Sequence, residues 1–293
     1  MTRPLSPVEM FPAGRDDIAV RFVTLVTQTR VRILECGAGD VDVVMLHGWV
    51  ASAYSFRHQL AALPAFGARC VAMDLRGFGL SDKPRGRGSY TMAGYLADLD
   101  ALLDALSLKR VVLVGHSMGG GIALTYALTR PDRVRGLALI APTGVVPVAF
   151  LTLPKLMPRP FATFADRRLV PRRLAGWILR NLAYGDASRV TERDVDEYWA
   201  PTQLPGFSLA ARASAEEFDW RPIAPQRLSA ITVPSVVMLG TKDRLIRKAA
   251  GPAKAVPGAT VRELEAGHCA HEERPDDANE LVGSLLRRVR ETG

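Results

Sequence analysis

The chain has 293 residues, of which 48% are hydrophobic and 23% charged, as in an ordinary globular protein. Its formal net charge of +8 comes mostly from arginines spread along the chain without a nucleic-acid-binding motif, so we expect no nucleic-acid partner. No apolar run reaches membrane-spanning length, and the three scattered cysteines show neither a disulfide framework nor metal-binding spacing; without a signal-peptide pattern, this favours a cytoplasmic protein.

Short apolar strands alternate with helices along the first half of the chain. Such continuous hydrophobic runs predict a mostly parallel sheet with helices on both faces. The first two extended segments are joined by only Gln28 and Thr29, which predicts an antiparallel hairpin at the sheet edge. The predicted elements are strands 19–27, Arg30–Cys36 and Val41–Leu46, a helix at 54–63, strand Ala68–Met73 and a helix at 95–106.

The most informative stretch lies near the centre of the chain. An apolar strand stops at Gly115-His116-Ser117-Met118-Gly119, and helix-forming residues follow as far as Arg130, where Pro131 marks the end. A G-x-S-x-G sequence between a strand and a helix is the nucleophile elbow, in which glycines permit close backbone contact. Unpaired N–H groups at the start of that helix favour negative charge. The sequence therefore predicts Ser117 as a nucleophile.

The alternation of strands and helices is interrupted in the second half. After strand Val134–Ile140, residues 142–226 predict helices and proline-rich connections without a clear strand. We interpret this segment as a helical cap inserted into a core domain of residues 1–141 and 227–293. The predicted elements after the cap are strand 235–239, a helix at 244–255, strand Thr260–Leu264 and a terminal helix at 276–290.

Two residues that directly follow the last two strands in the sequence are predicted to activate the serine. A serine hydroxyl is a poor nucleophile unless a base takes its proton, and the base works best when a carboxylate orients it. Asp243 follows strand 235–239, and His268 follows strand Thr260–Leu264, at the sheet edge where such groups are expected. The sequence thus predicts a catalytic triad of Ser117, Asp243 and His268 in that order.

Other acids and histidines remain candidates for these roles. Asp219 and Glu217, in the predicted cap, are alternative acids, and Asp243 could be an ordinary helix N-cap. His271, three residues beyond His268, is an alternative base. The remaining histidines are interpreted as structural, with His47 and His116 supporting loops and His58 on the surface of a helix.

Two backbone amides are predicted to form the oxyanion hole. One is the N–H of Met118, the residue after the nucleophile. The other is the N–H of Trp49, which His47-Gly48 would turn inward after strand Val41–Leu46. Trp49 could instead only pack in the wall of the pocket.

The sequence resembles the α/β-hydrolase superfamily over nearly all of the chain outside the insertion, in the serine-nucleophile, esterase- or lipase-like branch. This resemblance implies an eight-stranded sheet, a helical cap over the active site, and hydrolysis without a cofactor or metal. The motifs that carry it are Leu46-His47-Gly48-Trp49, Asp74-x-Arg76-Gly77-x-Gly79-x-Ser81, Gly115-His116-Ser117-Met118-Gly119-Gly120, Asp243 and Gly267-His268.

The serine at the elbow distinguishes branches of this superfamily. Haloalkane dehalogenases and epoxide hydrolases of this fold look similar elsewhere but use aspartate at that position. Ser117 therefore implies acyl chemistry, as in a carboxylesterase or lipase, or carbon–carbon bond hydrolysis of ring-cleavage products. Ring-cleavage hydrolases usually carry tryptophan directly after the catalytic histidine, where this chain has Cys269.

The predicted cap contains an unusually apolar segment between residues 145 and 164. Part of it serves as the cap's own core, and the rest predicts an apolar acyl pocket or contact with a lipid surface. We expect a small-molecule ester with a medium-chain or aromatic acyl group as substrate. An acyltransferase, a perhydrolase and a non-catalytic receptor of the same fold are alternatives. The predicted pocket residues are Phe150, Leu153, Met157, Phe161 and Phe164.

Overall fold

The computed structural model describes residues 3–148 and 170–292 of the chain. Within these residues eight strands form one sheet: β1 (Ala19–Thr24), β2 (Arg30–Cys36), β3 (Val41–Leu46), β4 (Ala68–Met73), β5 (Val111–His116), β6 (Val134–Ile140), β7 (Ser235–Gly240) and β8 (Thr260–Leu264). Their order is β1-β2-β4-β3-β5-β6-β7-β8. β2 runs antiparallel to both of its neighbours, β1 and β4, and the other five strand pairs are parallel, so the predicted edge hairpin and mostly parallel sheet are confirmed.

The central strands are buried on both faces, as their apolar sequences require. Alternate side chains of a strand point to opposite faces, so Val43 and Met45 of β3 join one hydrophobic cluster while Val44 and Leu46 join the other. Helices cover both clusters. In the described residues they are α1 (Arg57–Ala62), α2 (Met92–Ala105), α3 (Met118–Thr129), α4 (Arg172–Ile178), α5 (Glu192–Trp199), α6 (Phe207–Glu217), α7 (Pro225–Leu228), α8 (Ala250–Ala253), α9 (Ala270–Glu273) and α10 (Pro275–Thr292).

The two faces of the sheet are covered by different helices. Leu60 of α1 and Leu285 of α10 pack in the cluster with Val43. Leu99 of α2 and Ile122 of α3 pack in the cluster with Val44. Burial of these apolar side chains is the main stabilising term of the fold, at about 25 cal/mol for each Å² removed from water.

The helix predicted at 244–255 is wrong in extent, because only the single turn α8 is helical there. The carboxylate of Asp243 accepts hydrogen bonds from the amides of Leu245 and Ile246, which forms a tight turn rather than a helix start. Lys248 then adopts φ 58°, a left-handed conformation that interrupts a right-handed helix. Strand β1 is likewise shorter than predicted, because the turn before β2 already begins at Leu25, whose carbonyl accepts from the amide of Gln28 at 2.9 Å.

The segment between β6 and β7 contains α4 to α7, and its described residues, 141–148 and 170–234, include no strand. Part of it packs on the core: Phe207, Ala210, Phe218 and Trp220 join the same cluster as α2 and α3. The candidate pocket residues from Phe150 to Phe164 lie outside the described residues. No helix of the described chain has the length and apolarity that a membrane crossing needs.

Candidate active site

Ser117 lies at the sharp turn between β5 and α3. Its backbone has φ 51° and ψ −114°, a conformation that non-glycine residues rarely adopt and that marks strain at functional turns. The turn is fixed on both sides: the amide of Ser117 donates to the carbonyl of Ile140 at 2.9 Å, and its carbonyl accepts from the amides of Gly121 and Thr143. The elbow predicted at this position is therefore present in the structure.

Two glycines make the turn sterically possible. A Cβ placed on Gly119 would lie 2.0 Å from the carbonyl oxygen of Leu46, and one on Gly115 would lie 2.5 Å from the carbonyl oxygen of Gly119. The first turn of α3 is thus pressed against the end of β3, and only glycine fits there. This close contact brings the loop after β3 to the side of Ser117.

Asp243 and His268 form a buried hydrogen-bonded pair. Nδ1 of His268 lies 2.9 Å from Oδ2 of Asp243, and the other carboxylate oxygen accepts from the amides of Leu245 and Ile246 at 2.7 and 2.9 Å. Since the carboxylate accepts, Nδ1 of His268 carries the proton and Nε2 is left as the basic nitrogen.

The environment keeps Asp243 ionised. Burial raises the pKa of this carboxyl. The charge of His268, its hydrogen bond and the hydrogen bonds from two backbone amides lower the pKa by more than burial raises it. The net pKa lies below the ordinary value. Asp243 is therefore a permanent anion at neutral pH, positioned to stabilise a protonated His268.

His116, next to the serine, contacts the backbone of His268. Its Nε2 lies 3.1 Å from the carbonyl oxygen of His268, and because a carbonyl only accepts, Nε2 of His116 carries the proton. The centroids of the His116 and His268 rings are 4.8 Å apart. Burial first, and then the charge of His268, hold the pKa of His116 well below its usual value, so the ring is neutral.

His47 supports the loop after β3. Its Nε2 accepts from the amide of Leu75 at 3.0 Å, so its Nδ1 donates to the carbonyl of Gly48 at 2.7 Å. Burial lowers the pKa of His47 and keeps it neutral. The structural role expected for this histidine agrees with these contacts.

The alternative base, His271, and the alternative acids, Asp219 and Glu217, do not form a histidine–carboxylate pair in the described residues. His271 is buried between the rings of Phe56 and His116, and neither of its ring nitrogens has a hydrogen-bond partner among the described residues. Asp219 binds the guanidinium of Arg221, and Glu217 accepts from two loop amides. The structure thus pairs Asp243 with His268, and neither alternative acid is paired with a histidine in the described residues. His58 is partly buried rather than on the open surface.

The loop that carries Trp49 passes directly beside Ser117. A Cβ on Gly48 would lie 3.2 Å from Cβ of Ser117 and 3.0 Å from Nδ1 of His116. Trp49 follows this glycine, and its indole Nε1 donates to Ser214 Oγ of α6 at 2.8 Å. Met118 is the first residue of α3, where a backbone amide has no partner within the helix. Met118 therefore follows the serine directly in the chain, and Trp49 follows the glycine that lies against the serine.

The charged pair Glu272 and Glu273, four and five residues after His268, received no role from the sequence. Both side chains are buried beneath the segment that follows α4. Two adjacent acids resemble solvated surface residues in a sequence, and only their closeness to the histidine could have drawn attention to them.

The sequence over residues 43–275 matches the model of a family described as the alpha/beta hydrolase fold. That match spans most of the chain and includes Ser117, Asp243 and His268. The chain belongs to the alpha/beta hydrolase fold family.

Several curated relatives of this alpha/beta hydrolase are named epoxide hydrolases. Epoxide hydrolase 1 of Siraitia grosvenorii is 30% identical over 88% of this chain and 95% of its own length. Epoxide hydrolase 3 of the same plant is 44% identical, but only over 37% of this chain and 34% of its own length. The match to epoxide hydrolase 3 thus covers about a third of that relative's length.

Solved structures of proteins named for different activities share the fold. A meta-cleavage product hydrolase from Pseudomonas fluorescens superposes with a TM-score of 0.77 at 20% identity, covering 94% of this chain and 99% of its own. A carboxylesterase from Bacillus subtilis gives 0.76 at 21% identity, covering 96% and 94%. These likenesses establish the fold and leave the reaction to be argued from the site.

Proposed function

We propose that this protein is a cofactor-independent serine hydrolase that cleaves a carboxylic ester through an acyl-enzyme on Ser117. Two observations support the proposal: the strained backbone of Ser117 at the elbow, and the hydrogen-bonded pair of Asp243 and His268. His116, the residue before the serine, contacts the backbone of His268 and so links the two. Nucleophile, base and orienting acid are the parts that acyl transfer needs.

The proposed reaction has two halves. Nε2 of His268 takes the proton of the Ser117 hydroxyl as Oγ bonds to the ester carbonyl carbon, and the carbonyl electron pair moves onto oxygen. The amides of Met118 and Trp49 stabilise that oxyanion. The tetrahedral intermediate then collapses, and the departing alcohol takes the proton from His268. Water repeats the sequence on the acyl-enzyme, releasing the acid and restoring the serine.

Epoxide opening is the alternative suggested by the names of the relatives. A carboxylate nucleophile that opens an epoxide leaves an ester, which water can hydrolyse. A serine that opened an epoxide would leave an ether, which a base and an oxyanion hole cannot hydrolyse. Because Ser117 occupies the elbow, we propose acyl chemistry for this chain.

The test is the hydrolysis of p-nitrophenyl esters from acetate to palmitate. We expect a maximum at a medium chain length, loss of activity by at least about a thousandfold in Ser117→Ala, and no loss in Ser229→Ala, an exposed serine. A fluorophosphonate should label wild type and not Ser117→Ala.

If a folded wild type neither cleaves any ester nor takes the label, the esterase proposal is wrong, and ring-cleavage products and receptor ligands are tested next. If the label binds but amines or peroxide accept the acyl group better than water, the protein is an acyltransferase or perhydrolase.

The proposal extends to where the protein acts. Cys36, Cys70 and Cys269 are free, which supports a reducing compartment such as the cytoplasm. A peripheral lipid contact of the cap is supported by α4, which exposes Leu174, Trp177 and Ile178. Co-sedimentation with anionic vesicles should be weaker for Trp177→Ser than for wild type. Equal co-sedimentation of the two proteins would reject this contact.

A further inference from the structure

The loop that carries His268 lies against a segment of the cap. A Cβ on Gly267 would lie 2.4 Å from the amide nitrogen of Gly185, and a Cβ on Gly185 would lie 2.6 Å from the amide nitrogen of Gly267. The two backbones therefore touch at a pair of glycines. One residue beyond His268, the amide of Cys269 donates to the carbonyl of Ala183 at 3.1 Å.

Glu273 binds both sides of this contact. Its Oε1 accepts from the amide of Gly267 at 2.6 Å and from that of Gly185 at 2.9 Å, and its Oε2 accepts from the amide of Asp186 at 3.0 Å. The residue is 1% exposed. An ionised carboxylate is the side chain that can accept from three amides at once, and such charge-assisted bonds are about twice as strong as neutral ones.

Glu272, the residue before Glu273, also forms hydrogen bonds with the cap. Oε1 of Glu272 accepts from the hydroxyl of Tyr198 at 2.6 Å, and Oε2 accepts from that of Tyr184 at 3.1 Å. The guanidinium of Arg57, from α1, also pairs with Glu272 and bonds Asp194 of α5 at 2.9 Å. The four-residue helix α9 thus joins the histidine loop to the cap and to the core.

We propose that Glu273 is a positioning residue for the general base, and that it couples docking of the cap to placement of His268. Fixing the amide of Gly267 sets the backbone from which His268 reaches Asp243 and Ser117. The same carboxylate is bound by the cap amides of Gly185 and Asp186, so undocking of that segment would also release the histidine loop. This inference rests on the proposed function, because it assigns His268 as the base.

The deciding variant is Glu273→Gln in the full chain. An amide has one oxygen and one NH₂ group, so it would turn a donor toward at least one of the three backbone donors. We expect kcat to fall about 10- to 100-fold with KM little changed, since small misplacements of a catalytic group have effects of this size. Fluorophosphonate labelling should slow by the same factor. The acid limb of the kcat/KM profile should move to lower pH, because a looser bond to Asp243 stabilises the imidazolium less.

Two variants serve as controls. Glu197→Gln alters a buried carboxylate that accepts from the amide of Phe11 at 2.7 Å and binds Arg193, so it matches the burial without touching Gly267. Glu265→Gln removes a surface charge paired with Lys242. Both should keep the wild-type pH profile. The inference is overturned if Glu273→Gln keeps wild-type kcat and labelling, or if Glu197→Gln at equal Tm loses as much.

Two further measurements keep the inference testable. If Glu273→Gln does not fold, Glu273→Asp keeps the charge but is one methylene shorter, and unchanged kcat and pH profile in that variant would overturn the inference. The low-field proton resonance of His268 Nδ1 needs no substrate and should broaden or shift in Glu273→Gln. A wild type that neither cleaves any ester nor takes the fluorophosphonate label would reject the proposed function, while an unaltered resonance in the variant would reject the role of Glu273.

Discussion

Asp243 is bound on both of its carboxylate oxygens, by His268 on one and by the amides of Leu245 and Ile246 on the other. This arrangement separates its two functions. The amides fix the carboxylate in the turn, and the remaining oxygen sets the tautomer of His268. A residue of this kind can be replaced by a neutral analogue of the same shape without removing the turn, which makes its role measurable.

We predict that Asp243→Asn lowers kcat about 10²- to 10⁴-fold, because the amide neither fixes the correct tautomer nor stabilises the protonated base. Steady-state kinetics on the best p-nitrophenyl ester measure the loss, and circular dichroism verifies the fold. Asp219→Asn and Glu217→Gln alter the alternative acids, whose partners are Arg221 and the amides of Gly88 and Tyr90. These should retain kcat. A loss confined to one of them would move the acid role into the cap.

Among the contacts between secondary-structure elements, Gly119 determines how closely α3 approaches β3. We predict that Gly119→Ala destabilises the protein by at least about 3 kcal/mol, since its Cβ would lie 2.0 Å from a backbone oxygen that cannot move aside. Gly251→Ala is the matched control, because Gly251 is also helical and a Cβ there meets nothing within 4 Å. Its unfolding free energy should be unchanged or slightly higher. Urea unfolding compares the two, and equal stability would show that the elbow can relax.

Elements built from short apolar runs were predictable, and elements decided by side-chain contacts were not. The bounds of β2, β3, β4, β6 and β8 follow directly from hydrophobic runs between turn residues. The helix expected at 244–255 fails because Asp243 binds the following amides, a contact that composition does not reveal. At the site, the sequence indicated Ser117, Asp243 and His268 through their places after strands. Glu273 was missed because its partners are the backbone amides of Gly185, Asp186 and Gly267, which leave no side-chain signature in the sequence.

Buried neutral histidines connect the stability of the whole molecule to pH. Burial holds the pKa values of His47, His116 and His271 below the ordinary value near 6.5. Below that pH the unfolded chain binds protons on these residues that the native protein does not bind, so the unfolding free energy falls as the pH falls.

We predict that His271→Gln has a shallower dependence of the unfolding free energy on pH than wild type between pH 6 and 5. The difference approaches about 1.4 kcal/mol per pH unit, the value for one proton. Urea unfolding at several pH values gives both slopes, whatever the offset in absolute stability. Parallel slopes would mean that His271 is protonated in the native protein.

The contacts of the cap also bear on how such proteins can be recombined. Trp49, beside the serine, donates to Ser214 of α6, and Glu273, behind the histidine, accepts from Gly185 and Asp186. The segment between β6 and β7 is therefore joined to the loops around Ser117 and His268 by specific contacts. On the proposed function, a chimera that replaces this segment must keep matching residues in both loops, because otherwise the proposed catalytic residues would be misaligned.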